Sequence, residues 1–145
     1  MIKHASAVLM LALLFTCPNI DRPAHAQPNT THIDGTTEGI RLAVLTNLGA
    51  PDNTVEISRS GDILNVTRVN SNMNNAIHAR GEFNTEASAI ASLVSRAIAD
   101  DAEYKTIHTI RVQYLNRSGS PAKDKIIDTV DFRKNPNGVF DIHSS

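Results

Sequence analysis

Apolar and polar residues alternate with a period of two in several segments, and this pattern constrains the fold more than any other feature. Successive side chains of a β-strand point to opposite faces, so such segments suit a sheet with one apolar face and one polar face. The clearest case is residues 54–69, where Ser60 and Gly61 interrupt two apolar stretches. Glycine adopts the positive φ that tight hairpin turns require, and the segment therefore predicts a β-hairpin.

The position of this turn also predicts the register of the hairpin. A two-residue loop at Ser60 and Gly61 places all the apolar residues on one face and opposite charges beside the turn. The predicted cross-strand pairs are Arg59 with Asp62, Ile57 with Leu64, and Val55 with Val66. Turn chemistry and hydrophobic pattern agree on this pairing, which is how register is normally specified.

Four further segments are interpreted as strands, separated by polar breaks or by turns rich in glycine, proline and asparagine. They are residues 77–83, 106–115, 125–133 and 139–142. Gly81 weakens the first of them, because glycine has no side chain to pack within a strand.

A helix is predicted over residues 37–48, where Ile40, Val44 and Leu48 are spaced four apart. Thr36, Thr37 and Glu38 supply capping chemistry ahead of Ile40, and Gly49 and Pro51 follow as a stop. A buried strand from Ile40 to Leu48 stays as the alternative, because short apolar runs do not separate the two structures.

A second helix is predicted to begin after a cap at Asn84 or Thr85 and to continue to Asp101. Glu86 suits the positive N-terminal end of the helix dipole. One stripe of this helix is apolar and comprises Ile90, Leu93, Val94, Ala97 and Ile98. Serines, among them Ser92, mostly occupy the remaining surface and are expected to face away from the core.

The predicted order is therefore helix, three strands, helix, three strands. This order suits an αβββ-αβββ duplication, although residue identity between the halves is slight. We expect an α+β fold, with an antiparallel sheet of about five to six strands and two helices on one face.

The N-terminus has the layout of a cleaved secretory signal peptide over residues 1–26. A short polar start precedes an apolar run from Ala5 to Phe15, and Ala24-His25-Ala26 provides small residues before Gln27. Residues 27–35 are expected to form a disordered arm, and residues 36–145 a single α+β domain. A lipid anchor at Cys17 is the alternative, and it would hold the protein at a membrane.

Composition excludes several classes of function for the exported chain. Lys3, Asp21 and Arg22 lie in the leader, so 12 basic and 14 acidic side chains remain, with a net charge of −2. Nucleic-acid binders normally carry a concentrated basic surface, and none is predicted here. Cys17 is the single cysteine and lies in the leader, so disulfides and thiolate chemistry are not expected in the mature chain.

No motif assigns a catalytic residue, a cofactor or a metal site. Asp128 is the most interesting acidic residue, because regular alternation with Val130 points its carboxylate toward the core, where charges need partners. His108 shares the apolar side of its own strand and is expected at or near the core. Asp128 beside His108 or His78 would resemble a base with its orienting group. The alternative is a solvent-exposed Asp128, on a strand that twists or ends at a sheet edge.

A ligand-binding surface is predicted at the turn of residues 70–75 and the residues after it. Its candidates are Asn72, Asn74, Asn75, His78 and Arg80. Asparagine amides both donate and accept hydrogen bonds, and an arginine fork suits carboxylate or phosphate groups. The alternative is that asparagine only tolerates the left-handed geometry of a turn.

The sequence favours a small exported binding or interaction module of the cell envelope, periplasmic or extracellular, over an enzyme. Its expected partner is a protein or a small polar ligand, and no transmembrane segment is expected in the mature chain. Two alternatives stay open. One is a hydrolytic enzyme that uses Asp128 with His108 or His78, and the other is a scaffold component of an envelope assembly that docks through a sheet edge.

Overall fold

The computed structural model describes residues 35–75 and 77–143, apart from the side chain of Asn75. The predicted signal peptide, including Cys17, and all but the last residue of the predicted arm lie outside these ranges. The described helices are α1 (Thr37–Leu48), α2 (Asn72–Asn75) and α3 (Arg80–Ile98). The described strands are β1 (Val55–Ser60), β2 (Ile63–Val69), β3 (Thr109–Asn116), β4 (Lys125–Lys134) and β5 (Phe140–His143).

These strands form one sheet in the order β1-β2-β3-β4-β5. Neighbours pair antiparallel except β2 and β3, which run parallel. The α+β class is confirmed, but the expectation of a fully antiparallel sheet is wrong at this central pair. Parallel neighbours need a long crossover connection, and the segment that contains α3 supplies it.

Helix α1 is confirmed with its predicted bounds and its predicted end signals. The Thr36 hydroxyl accepts a hydrogen bond from the Gly39 N–H at 3.0 Å, which satisfies one of the unpaired donors of the first turn. Gly49 ends the helix in the left-handed conformation with φ 58°, where a side chain would be strained. The alternative of a buried strand over this segment is wrong.

The hairpin of β1 and β2 is confirmed, but its register differs by two residues from the prediction. Ser60 pairs with Ile63, so Gly61 and Asp62 form the turn, and Gly61 has φ 62°. Glycine at the first turn position is what a type II′ turn requires. The predicted cross-strand pair of Arg59 with Asp62 is wrong, because Arg59 lies opposite Leu64. The Arg59 guanidinium donates instead to the Glu103 carbonyl and the Thr106 hydroxyl.

The predicted third strand, residues 77–83, is wrong, because α3 begins at Arg80. The Glu82 carboxylate accepts a hydrogen bond from the Ala79 N–H at 2.9 Å and thereby caps the helix. Helix α3 therefore starts a full turn before the predicted caps at Asn84 or Thr85, and it ends at Ile98 rather than Asp101. Without this strand, the αβββ-αβββ order is also wrong.

The apolar sides of helices and strands meet in one hydrophobic cluster. In β3, Ile110, Val112 and Tyr114 are fully buried, whereas Arg111 and Gln113 are half-buried on the polar side. The predicted stripe of α3 is confirmed, since Ile90 and Val94 are fully buried and Ser92 is exposed. No helix within the described ranges has the length and apolar content needed to cross a membrane.

One charged pair lies inside this otherwise apolar layer. The Arg68 guanidinium donates to the Glu86 carboxylate at 3.0 Å, and the two side chains are 7% and 18% exposed. The Arg68 guanidinium also donates hydrogen bonds to the Thr54 carbonyl at 3.4 Å and to the Thr54 hydroxyl at 3.3 Å. This ion pair joins the end of β2 to the second turn of α3 and was not predicted from the sequence.

Candidate functional site

A shallow depression at the N-terminal end of α3 brings together three residues that the sequence singled out. Its volume is about 350 Å³. We call it the α3 depression, and its lining residues are Ile77, His78, Arg80, Phe83, Ile127 and Asp128. His78 and Arg80 belong to the predicted binding surface, and Asp128 is the acidic residue that the strand pattern singled out.

The start of α3 determines where His78 and Arg80 lie. His78 Nδ1 is 3.1 Å from Glu82 Oε2, the carboxylate that also accepts the Ala79 N–H. These two contacts, the backbone one first, hold the pKa of Glu82 below its ordinary value. Arg80 is exposed, and no other group in the described part of the chain hydrogen-bonds to its guanidinium. Its five donors are therefore available to a ligand.

A β-bulge positions Asp128 on the opposite side of the α3 depression. Tyr114 pairs with Asp128 while Leu115 pairs with Ile126, which leaves Ile127 without a partner in β3. A bulge shifts the phase of alternation and re-aims side chains. As a result Ile127 packs against the core cluster and Ile126 is exposed, whereas alternation alone predicts the reverse.

Asp128 is half-buried and retains accepting capacity. Its Oδ1 accepts a hydrogen bond from the Thr129 N–H at 2.8 Å, whereas Oδ2 has no partner among the described residues. The predicted orientation toward the core side is therefore only partly realised, because the carboxylate reaches the margin of the core rather than its interior.

Two aromatic rings, those of His78 and Phe83, line the depression, and Tyr114 lies behind Phe83. Phe83 packs edge-on against Tyr114 with ring centroids 4.8 Å apart, and His78 packs edge-on against Phe83 at 5.9 Å. The buried Tyr114 hydroxyl donates to the Phe83 carbonyl at 3.3 Å. Burial, followed by the negative charge of Glu86, raises the pKa of Tyr114 far above its ordinary value, so the phenol stays protonated.

His108 lies apart from this site. It is exposed just before β3, and its carbonyl accepts the Lys134 N–H at 2.8 Å. Lys134 and Asp128 are six residues apart along β4, which corresponds to about 20 Å. The expectation of a core or core-edge His108 is wrong, because Ile107 takes the buried position. The structure thus brings Asp128 together with His78 and not with His108.

The asparagine turn contributes to the fold as well as to the surface. Asn74 is 6% exposed, and its amide N–H groups donate to the carbonyls of Arg68 and Leu115 at 3.1 and 2.8 Å. Its side-chain oxygen accepts the Ser71 hydroxyl at 2.7 Å. Both amide hydrogens of Asn74 are therefore used within the fold, whereas Asn72 is exposed to solvent.

The other face of the sheet is polar. Across β2, β3 and β4, Thr67, Gln113 and Thr129 stand in one row, and Arg111 pairs with Asp131 through two hydrogen bonds of 2.8 Å. Arg111 holds the pKa of Asp131 below its ordinary value. These side chains are only half-buried, so this face offers hydrogen-bonding groups to the solvent.

Within the part of the chain that the structure describes, no three histidine, cysteine, aspartate or glutamate side chains cluster closely enough to hold a metal ion. Comparison of the chain with family models, with curated protein sequences and with solved structures gave no match.

Sequence reasoning missed two features that shape the site. The first is the bulge at Ile127, which a regular alternation of strand residues does not reveal. The second is the Ala79–Glu82 cap, although Glu82 lies at the spacing at which a glutamate returns to a helix N-terminus. That spacing predicts an earlier start of α3, with His78 and Arg80 beside the N-terminal end of the helix.

Proposed function

We propose that this chain is a small exported binding module of the cell envelope, and that its ligand binds in the α3 depression. The observation that carries the proposal is the meeting of His78, Arg80 and Asp128 at one recess whose lining also includes Phe83 and Ile127. Recesses with an apolar base and a few convergent polar groups are the usual form of a ligand site. The proposal also retains the expectation that α1 and α3 cover one face of the sheet.

The chemistry of the depression favours a ligand that carries an anionic group near a hydrogen-bond donor. The unpaired Arg80 fork suits a carboxylate, which it can bind through two parallel hydrogen bonds. The free Oδ2 of Asp128 suits an ammonium or amide N–H. Phe83 and Ile127 contribute apolar surface between these groups. The end of a peptide, with its carboxylate and adjacent N–H, combines all three features.

This proposal can be tested with trialanine and its C-terminally amidated form. We expect trialanine to shift the backbone amide NMR signals of residues 77–83 and 127–129. We expect Arg80→Ala to weaken the affinity about tenfold, the equivalent of about 1.4 kcal/mol. The amidated peptide should bind wild-type protein as weakly as trialanine binds this variant.

Arg96→Ala is the matched control, because Arg96 is an exposed arginine in the last turn of the same helix. Its affinity for trialanine should equal that of the wild type. Signals that move equally in both arginine variants, or that move outside the depression, would remove this site from consideration. Unchanged melting curves for both variants exclude unfolding as the cause.

The cellular location is a separate part of the proposal, and the leader pattern supports it. We expect the protein recovered from an exporting host to begin at Gln27 and to carry no lipid. Intact mass spectrometry measures both properties at once. An acylated chain that begins at Cys17 would instead make residues 18–39 a membrane tether.

The hydrolytic alternative is now restricted to one histidine, because His78 lines the α3 depression together with Asp128. In this alternative His78 would have to exchange its contact with Glu82 for one with the carboxylate or with a water molecule. Turnover separates the two proposals. An enzyme converts its ligand to product continuously, whereas a binding module binds its ligand and leaves it unchanged. The scaffold alternative requires a partner at a sheet edge instead.

A further inference from the structure

Strand β5 is the outer strand of the sheet that the described residues form, and two backbone hydrogen bonds establish which of its N–H and C=O groups point away from β4. The Asn135 N–H donates to the Val139 carbonyl, and the Lys134 N–H donates to His108 on the side of β3. In an antiparallel pair, residues alternate between bonding to one neighbour and facing the other side. The N–H and C=O groups of Phe140 and Ile142 therefore point away from β4, to the side where no described strand pairs with β5.

The same edge carries exposed apolar surface. Val139 and Ile142 are 54% and 44% exposed. Ile142 pairs with the buried Phe132, which places both side chains on the apolar side of the sheet. A groove of about 350 Å³ runs between this strand and α3, and its walls include Ser92, Ser95 and Ile142.

We propose that β5 pairs with β5 of a second copy of this chain, antiparallel and about a two-fold axis at Ile142. In this register the outward N–H and C=O of Ile142 exchange two hydrogen bonds with Ile142 of the second copy. Asp141 of each copy then lies opposite His143 of the other. The two Asp141–His143 pairs are on the polar side, and the two Ile142 side chains meet on the apolar side.

Three requirements select this register. A two-fold antiparallel pair must be centred on a residue whose backbone groups face outward, and Ile142 satisfies this condition. Centring on Phe140 would instead place Gly138, which has φ 82°, opposite Ile142. An imidazole N–H directly across from a carboxylate can donate a hydrogen bond to it. The Ile142 register provides the favourable pairing twice, and self-complementarity of this kind is the property of a two-fold interface.

Disulfide trapping tests the register directly in the full chain with Cys17→Ser, which removes its single cysteine. Hydrogen-bonded partners in an antiparallel pair have Cα atoms about 5.5 Å apart, inside the range of about 4.4–6.8 Å that a disulfide spans. We expect Ile142→Cys to form a covalent dimer under mild oxidation. Val139→Cys should not, because the proposed register separates the two copies of residue 139 by about 20 Å.

Sedimentation velocity tests the association without a crosslink. Ile142→Arg introduces two facing cations at the axis and should convert a dimer into a monomer. Ile126→Arg is the matched control, because Ile126 is 55% exposed but lies at the far end of β4; it should leave the dimer intact. A wild-type monomer at every concentration overturns the proposal. Equal crosslinking at residues 139 and 142 overturns it as well. Loss of the dimer in both arginine variants also overturns it.

Discussion

Replacing Glu86 by leucine is expected to lower the free energy of unfolding by about 3–5 kcal/mol, because it leaves the charge of Arg68 buried without its partner. Arg68 is only 7% exposed, and its remaining contacts are the two neutral oxygens of Thr54. Arg68→Met should cost less, because the Glu86 carboxylate is 18% exposed and retains access to water. Urea unfolding followed by circular dichroism measures both changes.

The double variant Arg68→Met/Glu86→Leu distinguishes the loss of a partner from the loss of packing. Apolar residues of similar volume often replace a buried ion pair without cost, so the double variant should recover most of the stability lost in Glu86→Leu. Glu38→Gln is the control, since it removes an ion pair whose carboxylate is 61% exposed and screened by water, and it should leave the free energy of unfolding nearly unchanged. A double variant as unstable as Glu86→Leu would show that the pair acts through packing alone.

The second large effect is expected at the centre of the α3 stripe. Ile90 is fully buried in the hydrophobic cluster, and Ile90→Ala should lower the free energy of unfolding by about 2–5 kcal/mol. The loss combines the removed apolar contacts with the cavity that remains. Ile90→Val should cost about 0.5–1.5 kcal/mol and therefore keeps the comparison measurable if the alanine variant is unfolded.

Ser92→Ala is the matched control on the same helix, because Ser92 is exposed two residues further along. Surface substitutions of this kind usually change stability by less than about 0.5 kcal/mol. Equal denaturation midpoints for Ile90→Ala and Ser92→Ala would contradict the packing of α3 described above.

The sequence correctly predicted the elements whose ends or turns depend on residues that are close together in the chain. Thr36 and Gly49 bound α1 because a capping hydroxyl and a left-handed glycine act within a few residues of the chain. The apolar stripe of α3 was also recognisable, because burial on one helix face leaves a period close to four. The existence of the β1–β2 hairpin followed from its glycine turn for the same reason.

The errors arose where a pattern with a period of two admits more than one solution. A shift of two residues keeps every side chain of the hairpin on its face, so hydrophobicity cannot distinguish Ser60–Gly61 from Gly61–Asp62 as the turn. Residues 77–83 alternate like a strand, yet Glu82 caps a helix there. The parallel pairing of β2 with β3 depends on tertiary contacts that no short segment contains.

The candidate site was predictable only in its components. Residues His78, Arg80 and Asp128 were each singled out, but their proximity depends on an early helix start and a bulge that the patterns do not reveal. The burial of His108 was predicted wrongly because the regular alternation of β3 does not extend back to residue 108. Ile107 is buried there, and His108 is exposed. Burial of Arg68 was missed because an arginine near the end of a strand gives no sign of a partner that lies on a helix.

The central parallel pair has a consequence for the order of events during folding. Residues 70–108 separate β2 from β3, whereas short turns connect β1 to β2 and β4 to β5. Closing a long segment is entropically costly, and contacts between distant residues slow folding. The outer hairpins can therefore form early, while the centre of the sheet closes only after the crossover is ordered. Until then, the facing edges of β2 and β3 remain open to pairing with another chain.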